Sequence, residues 1–250
     1  MVSRETQAHY ERLAADYDDA WEYSPGFVSW MTQRILERLL PRQGEWVLDL
    51  GCGTGIYSRG LAEAAGRVIC ADPSAEMLGQ LPVGAEFEPV TASAEDVVFG
   101  RVDLPSERFD VVLMKESVHH VEDPGVVLAG LAERLAPGGR LLVVMLPSTI
   151  GYPLFEAALR VFEERQPDPR DIADHLERAG LSAHLTYESF PLSFGKERYL
   201  QMVRNRYMSL LSAFSHEELE RGIAEIEEKH PGERLEFVDR FAFVLGSKPS

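Results

Sequence analysis

The run Val47-Leu48-Asp49-Leu50-Gly51-Cys52-Gly53-Thr54-Gly55 constrains this chain more than any other segment. Its apolar half reads as a buried strand, and its glycines read as a tight turn. Residues 56–65 then continue with helical spacing to a stop at Gly66. A strand that passes through glycines into a helix lets the backbone approach a ligand closely. It also points the helix's unpaired N–H groups toward that ligand. Two acids flank the turn. Asp49 sits at the end of the first strand, and Asp72, roughly 20 residues beyond Gly51, ends the next.

The rest of the chain extends this unit. Short, nearly continuous apolar runs at 46–50, 68–71, 87–91, 109–114 and 140–146 alternate with helical patterns that include 56–65, 73–81 and 124–135. Five such alternations predict an α/β fold, a doubly wound, Rossmann-like parallel sheet with helices on both faces. Beyond Pro147 the spacing predicts helices over 168–179, 196–214 and 217–229, and strands over 181–190 and 234–245. Upstream, residues 4–20 and 27–40 form two amphipathic stripes, the second stopped by Pro41. No linker separates these parts. A single domain over 1–250 is expected: an N-terminal helical cap (1–41), a ligand-binding core (42–146) and a substrate-side segment (147–250) with a helical lid over 191–233.

Composition narrows the partners. Forty-one acidic against 25 basic residues give a formal net charge of −16, the reverse of the basic footprint of polyanion binders. Nucleic acid and anionic membranes are therefore disfavoured. Two cysteines, Cys52 and Cys70, make no disulfide framework, and no Cys/His cluster has metal-ligand spacing. The first residues are polar and mixed in charge, unlike a targeting signal, and no apolar run approaches a bilayer span. A soluble cytoplasmic protein without a metal, a monomer or homodimer, is the expectation.

The glycine spacing discriminates further. A dinucleotide fingerprint needs its third glycine one residue later than Gly55, where this chain has Ile56. A carboxylate at Asp49 also repels a pyrophosphate and suits a cation. Asp49-Leu50-Gly51-Cys52-Gly53-Thr54-Gly55 with Asp72 resembles the cofactor site of class I S-adenosylmethionine-dependent methyltransferases. Phe109-Asp110-Val111-Val112 and Leu135-Ala136-Pro137-Gly138-Gly139-Arg140-Leu141 resemble that family's fourth strand and the turn before its fifth. Ser117-Val118-His119-His120-Val121 is similar to the ubiquinone-biosynthesis-like, small-molecule branch. The resemblance spans roughly residues 10–146.

The family's fold implies seven strands, the last antiparallel, with the helical lid inserted between the last two. Its cofactor implies S-adenosylmethionine, with S-adenosylhomocysteine as product. Residue by residue, Gly51, Cys52 and Gly53 would pass the cofactor's methionine part, Asp49 its ammonium and Asp72 its ribose. Pro73, Met77, Ala94, Glu95 and Lys115 complete that set. Ser93 stands where many members carry an aspartate, leaving Glu95 or the Ala94 backbone to meet the adenine.

The sulfonium methyl is already activated, so orientation of the acceptor does most of the work. A hydroxyl acceptor also needs a base, and histidine suits neutral pH. His119 and His120, beyond the fourth strand beside Lys115 and Glu116, are the catalytic candidates, with at most one expected to reach the substrate. Tyr17 is a candidate lid residue over cofactor and substrate, since aromatic faces attract a sulfonium. Trp21, Tyr152, Tyr199, Arg204 and Tyr207 join it as substrate-side candidates. Projected as one helix, 196–214 places Tyr199, Tyr207 and neighbouring apolar residues on one face, with Arg204 and Arg206 at its edges. That face would suit a ring-bearing anion. The expected function is methyl transfer to a small molecule, O favoured over N or C. An RNA or protein methyltransferase, and a cofactor-binding protein that does not methylate, stay as alternatives.

Overall fold

The computed structural model describes residues 25–250; the side chain of Pro25 and the expected helix over 4–20, with Tyr17 and Trp21, lie outside its description. Seven strands form one sheet: β1 (Val47–Leu50), β2 (Val68–Asp72), β3 (Phe87–Thr91), β4 (Phe109–Lys115), β5 (Leu135–Met145), β6 (Ser182–Gly195) and β7 (Arg234–Ser247). Their order is β3-β2-β1-β4-β5-β7-β6. The first five run parallel, and β7 lies antiparallel to both β5 and β6. The chain reverses its direction of strand addition at β1, and the crevice at the carboxyl ends of β1 and β4 is where such sheets bind ligands.

The central strands β1, β2 and β4 are nearly all apolar because both their faces are covered. Alternation sends Val47, Val68, Cys70, Val111, Leu113, Leu142 and Val144 into one buried cluster. It sends Leu48, Leu50, Ile69, Ala71, Val112, Met114, Leu141 and Val143 into the other. The first cluster is capped by α1 (Pro25–Leu39), whose Phe27, Met31, Ile35 and Leu39 are fully buried, and by α2 (Ser58–Ala65). The remaining helices are α3 (Ala75–Leu78), α4 (Ala94–Val98), α5 (Pro124–Arg134), α6 (Glu156–Arg165), α7 (Pro169–Arg178), α8 (Lys196–Arg204) and α9 (His216–Lys229). Of these, α5 and α7 pack on the second cluster through Val127, Leu128, Leu131, Ile172 and Leu176.

Several boundaries differ from the sequence expectation. The helix expected over 73–81 is a single turn, Ala75–Leu78, and α2 begins at Ser58 rather than residue 56. The helices α4 and α6 were not expected at all. The larger correction concerns 196–214, which is not one helix. It ends at Arg204, and a 3₁₀ turn follows at Ser209–Ala213. The break is a Schellman cap: the Tyr207 N–H donates to the Met202 carbonyl (3.1 Å) and the Arg206 N–H to that of Val203 (2.9 Å). Arg206 takes the left-handed position (φ +57°) normally held by glycine, so composition gave no stop signal. The inserted segment is also shorter than expected. The strands β6 and β7 pair from Ser182↔Ser247 to Gly195↔Arg234, leaving 196–233 between them.

Candidate functional site

The three glycines of the turn take positive φ for different local reasons. A Cβ on Gly51 (φ +78°) would lie 2.4 Å from Ser117 Cβ, and one on Gly55 (φ +76°) 2.3 Å from Leu81 Cδ2. Gly53 (φ +56°) has nothing within 4 Å of that position and lies on the cavity wall. Two glycines thus let neighbours close in, and the third leaves room for a ligand. Gly51→Ala is expected to cost about 2–4 kcal/mol in strain and overpacking. Gly53→Ala should cost about 1 kcal/mol in stability and act mainly on ligand affinity. Thermal melts of the two variants, beside calorimetric binding, check the contrast.

The cavity encloses about 350 Å³ at the carboxyl ends of β1, β2 and β4. Asp49 is buried on its wall and accepts a 2.5 Å hydrogen bond from Ser58 Oγ. Burial pushes its carboxyl up to about 6 against the opposing Ser58 bond, with nearby Asp72 adding and Lys115 subtracting. Asp72 accepts from the Gly53 N–H (2.9 Å) and the Ser74 N–H (2.9 Å), tying the glycine turn to the start of α3. Burial raises its carboxyl too, against those two bonds.

At the far side of this half, Ser93 caps α4, its hydroxyl accepting from the Asp96 N–H while Asp96 accepts from the Ser93 backbone. Glu95 accepts from the Glu122 N–H at 3.1 Å, joining α4 to the loop after the histidines. Pro73, Met77, Ala94, Cys52 and Lys115 also line the cavity. The cofactor-side residues expected from sequence therefore all line this cavity, Tyr17 excepted because it lies outside the described residues.

The other half begins where β4 ends. Glu116 adopts φ +54° and accepts from the Leu146 N–H at 2.9 Å. Val118–His120 then form a single 3₁₀ turn, closed by the His120 N–H on the Ser117 carbonyl at 3.0 Å. Both histidines line the cavity, with ring centroids 4.0 Å apart. The tight turn presents these adjacent side chains to the same space. Burial, helped by the Lys115 charge, pulls His119 down to about 4. Its buried Nδ1 has no hydrogen-bond partner among the described residues.

On the substrate side Tyr207 lines the cavity, brought there by the Schellman turn. Tyr199 and Tyr152 do not line it. Tyr199 is fully buried behind Tyr207 with their hydroxyls 2.9 Å apart, and Tyr152 donates to Asp239 at 2.6 Å. Arg204 is corrected as well: it lies on the surface, paired with Glu220 at 3.2 Å. Arg206 donates to the Leu211 carbonyl instead of flanking an aromatic face. Both corrections follow from the helix ending early, which removes the common face on which they were projected. The arginine on the cavity wall is Arg165, at the end of α6 beside Gln166. Sequence reading missed both, although Pro167 marks a helix end there.

Comparison with known proteins follows the same division. Residues 48–143 match the family described as a methyltransferase domain. The chain is 31% identical over 149 residues to the ubiquinone biosynthesis O-methyltransferase of Cereibacter sphaeroides, over 54% of this chain and 60% of that protein. It is 36% identical over 121 residues to the cypemycin N-terminal methyltransferase of a Streptomyces species, over 46% of this chain and 45% of that protein. The chain thus spans about half the length of the curated relatives it matches. In fold it is similar to the YcgJ protein of Bacillus subtilis, with a TM-score of 0.64 at 15% identity, over 89% of this chain and 99% of that one. Residues 48–143 thus carry a methyltransferase domain, similar to that of the ubiquinone-biosynthesis O-methyltransferases.

Proposed function

We propose that this protein transfers a methyl group from S-adenosylmethionine to a small-molecule acceptor, with oxygen the favoured atom. The observation that carries the reading is that one cavity gathers two sets of residues. Asp49, Asp72 and the open Gly53 come to it from β1, β2 and the glycine turn, and Lys115, His119, His120 and Tyr207 from the end of β4, the turn after it and the segment after α8. The residues present fit the cofactor. The buried Asp49 and the half-buried Asp72 suit its ammonium and ribose hydroxyls, the Gly53 position leaves space on the wall, and Met77 and Ala92 offer apolar contact. When bound, S-adenosylmethionine supplies a methyl whose bond to sulfur is already polarised.

The chain's own work is to hold, orient and dry the acceptor, and to take its proton. His120 is the preferred base, because His119, held near 4, is neutral at physiological pH and accepts a proton poorly. His120→Ala is expected to lower turnover of a hydroxyl acceptor 10²–10⁴-fold. His119→Ala should lower it less. Wild-type turnover in both would show that the acceptor arrives already ionised.

A small acceptor in the cytoplasm, rather than RNA, is favoured by the net charge of −16. Among the described residues no helix is long and apolar enough to cross a membrane. We read 42–146 as the cofactor half and 147–250 as the substrate half of a single unit, with Tyr17 and Trp21 as lid candidates, in a monomer or homodimer. A mass-spectrometric screen of metabolites for a gain of about 14 Da tests the reading. Methyl gain on RNA and on no metabolite would overturn it, as would tight binding of a nicotinamide dinucleotide in place of S-adenosylmethionine.

A further inference from the structure

The first six residues of β4 are apolar except Asp110, and the run ends abruptly at Lys115, whose side chain is enclosed on the cavity wall. Its ammonium lies 5.0 Å from the Tyr57 ring centre and 5.6 Å from that of Phe241. Placing a charge among such groups costs several kcal/mol even after relaxation, and a methionine would pack there without that cost. Burial pulls the pKa of this ammonium down, and the charges of Glu116, Asp239 and Asp49 oppose that effect. Lys115 ends β4, which pairs with β1 beside Asp49, and it shares the cavity wall with His119 and His120, so it lies among residues expected to meet the cofactor and residues expected to meet the acceptor.

Asp239 is delivered by topology. Because β7 runs antiparallel and pairs Ala242 with Met145, its amino-terminal half projects past the carboxyl end of β5, toward the end of β4. Asp239 is fully buried, and Tyr152 holds one of its oxygens. The other oxygen has no hydrogen-bond partner among the described residues. Tyr199 and Tyr207 lie close enough to feel its charge. Burial pushes the Asp239 carboxyl up to about 7, with Glu116 adding and the Tyr152 bond and Lys115 opposing. A buried acid held on one side only is costly for stability alone, and in its ionised form it favours the protonated ammonium of Lys115.

We propose that Lys115 is a catalytic residue whose ammonium receives the acceptor oxygen in its ionised form, with Asp239 as the positioning residue that keeps Lys115 charged. The acceptors are then compounds with an acidic hydroxyl or a carboxyl group. A hydroxyl proton leaves to His120, and the negative charge left on oxygen is met by Lys115. A carboxylate needs no base. The inference rests on the reading of transfer to oxygen and names the substrate class for that site.

Protein loaded with S-adenosylhomocysteine is titrated with para-nitrophenol, whose neutral and ionised forms absorb at different wavelengths. The bound phenol is expected to ionise at least about one pH unit below the free phenol. Lys115→Met should abolish that shift, and Lys115→Arg should keep it. Asp239→Asn should leave the shift in place near neutrality but end it at lower pH, because Lys115 then loses its proton earlier. Should Lys115→Met fail to fold, the double variant Lys115→Met/Asp239→Asn, which removes one charge of each sign, carries the same test. An equal shift in wild type and the methionine variant overturns the inference, as does binding of the neutral phenol alone or no phenol binding. S-adenosylhomocysteine affinity, measured first by calorimetry, separates the two levels: its absence would defeat the methyltransferase reading itself.

Discussion

Asp49→Asn is expected to weaken S-adenosylmethionine binding by tenfold to a hundredfold while making the unliganded protein more stable at pH 8. The two effects have one cause. Asp49 is buried, and burial lifts its carboxyl from an ordinary 3.8 to about 6. The native state therefore holds this proton more tightly than the unfolded chain does. The contribution to stability falls as pH rises from about 4 through about 6, and the deficit is fully present above that. A shift of about two units corresponds to roughly 3 kcal/mol. Asparagine, which resembles the protonated acid, should recover about 2 kcal/mol of it, or some 4–8 °C in melting temperature at this chain length. The gain should vanish below about pH 4, where both forms are neutral in both states.

The same carboxylate is useful once a cation arrives. A positive ligand favours the ionised form, so affinity for S-adenosylmethionine should fall as pH drops below about 6, and binding near that pH should release a proton. Losing a charged hydrogen bond costs about 1.5–3 kcal/mol, which sets the expected loss of affinity. Calorimetry in buffers of different ionisation enthalpy counts the proton, and melts across pH 4–8 follow the stability. An unchanged affinity in the asparagine variant would remove Asp49 from the binding site.

Asp72→Ala should have the larger effect on binding. Asp72 accepts from the backbone of Gly53 and of Ser74, so its loss frees the glycine turn as well as the group expected to meet the ribose. With two charged hydrogen bonds at about 1.5–3 kcal/mol each, affinity should fall by more than a hundredfold. Stability should change less. The carboxyl is held above its ordinary range by burial, which offsets part of what the two bonds contribute at neutral pH. Asp72→Asn separates the two roles. Its amide oxygen can still accept one backbone N–H but presents donors where the second is needed, so affinity should lie between wild type and alanine.

Much of this protein was legible before any coordinates. The β1 turn, its three glycines and the two acids announced themselves because local chemistry dictates them. Positive φ restricts the residue type, and a buried strand must be apolar. The alternation of strand and helix from 46 to 146 was readable for the same reason, since the central strands are covered on both faces. Even so, short elements escaped. The helix α4 is five residues long, and its start is marked only by the Ser93–Asp96 capping box. The helix α6 lay in the substrate-side segment, in a stretch where no element was expected.

The substrate half was decided elsewhere. Arg204 and Tyr199 were assigned by projecting 196–214 as one helix, and one residue in the left-handed conformation, Arg206, ends that projection. No local rule marks an arginine for that position, since the cost is met by the Schellman bonds and by the packing of Tyr207. Asp239 was equally invisible. In sequence it is one acid near the start of a strand, 124 residues from Lys115. Only the antiparallel register of β7 against β5 brings it to the carboxyl end of β4. The sequence by itself determined the parallel core and the cofactor wall, because periodicity and glycine conformation act over a few residues. The tertiary structure alone decided the acceptor wall, because it is assembled from the end of β4, from α6 and from the turn after α8, and their meeting depends on how the chain returns to the sheet and on where one helix stops.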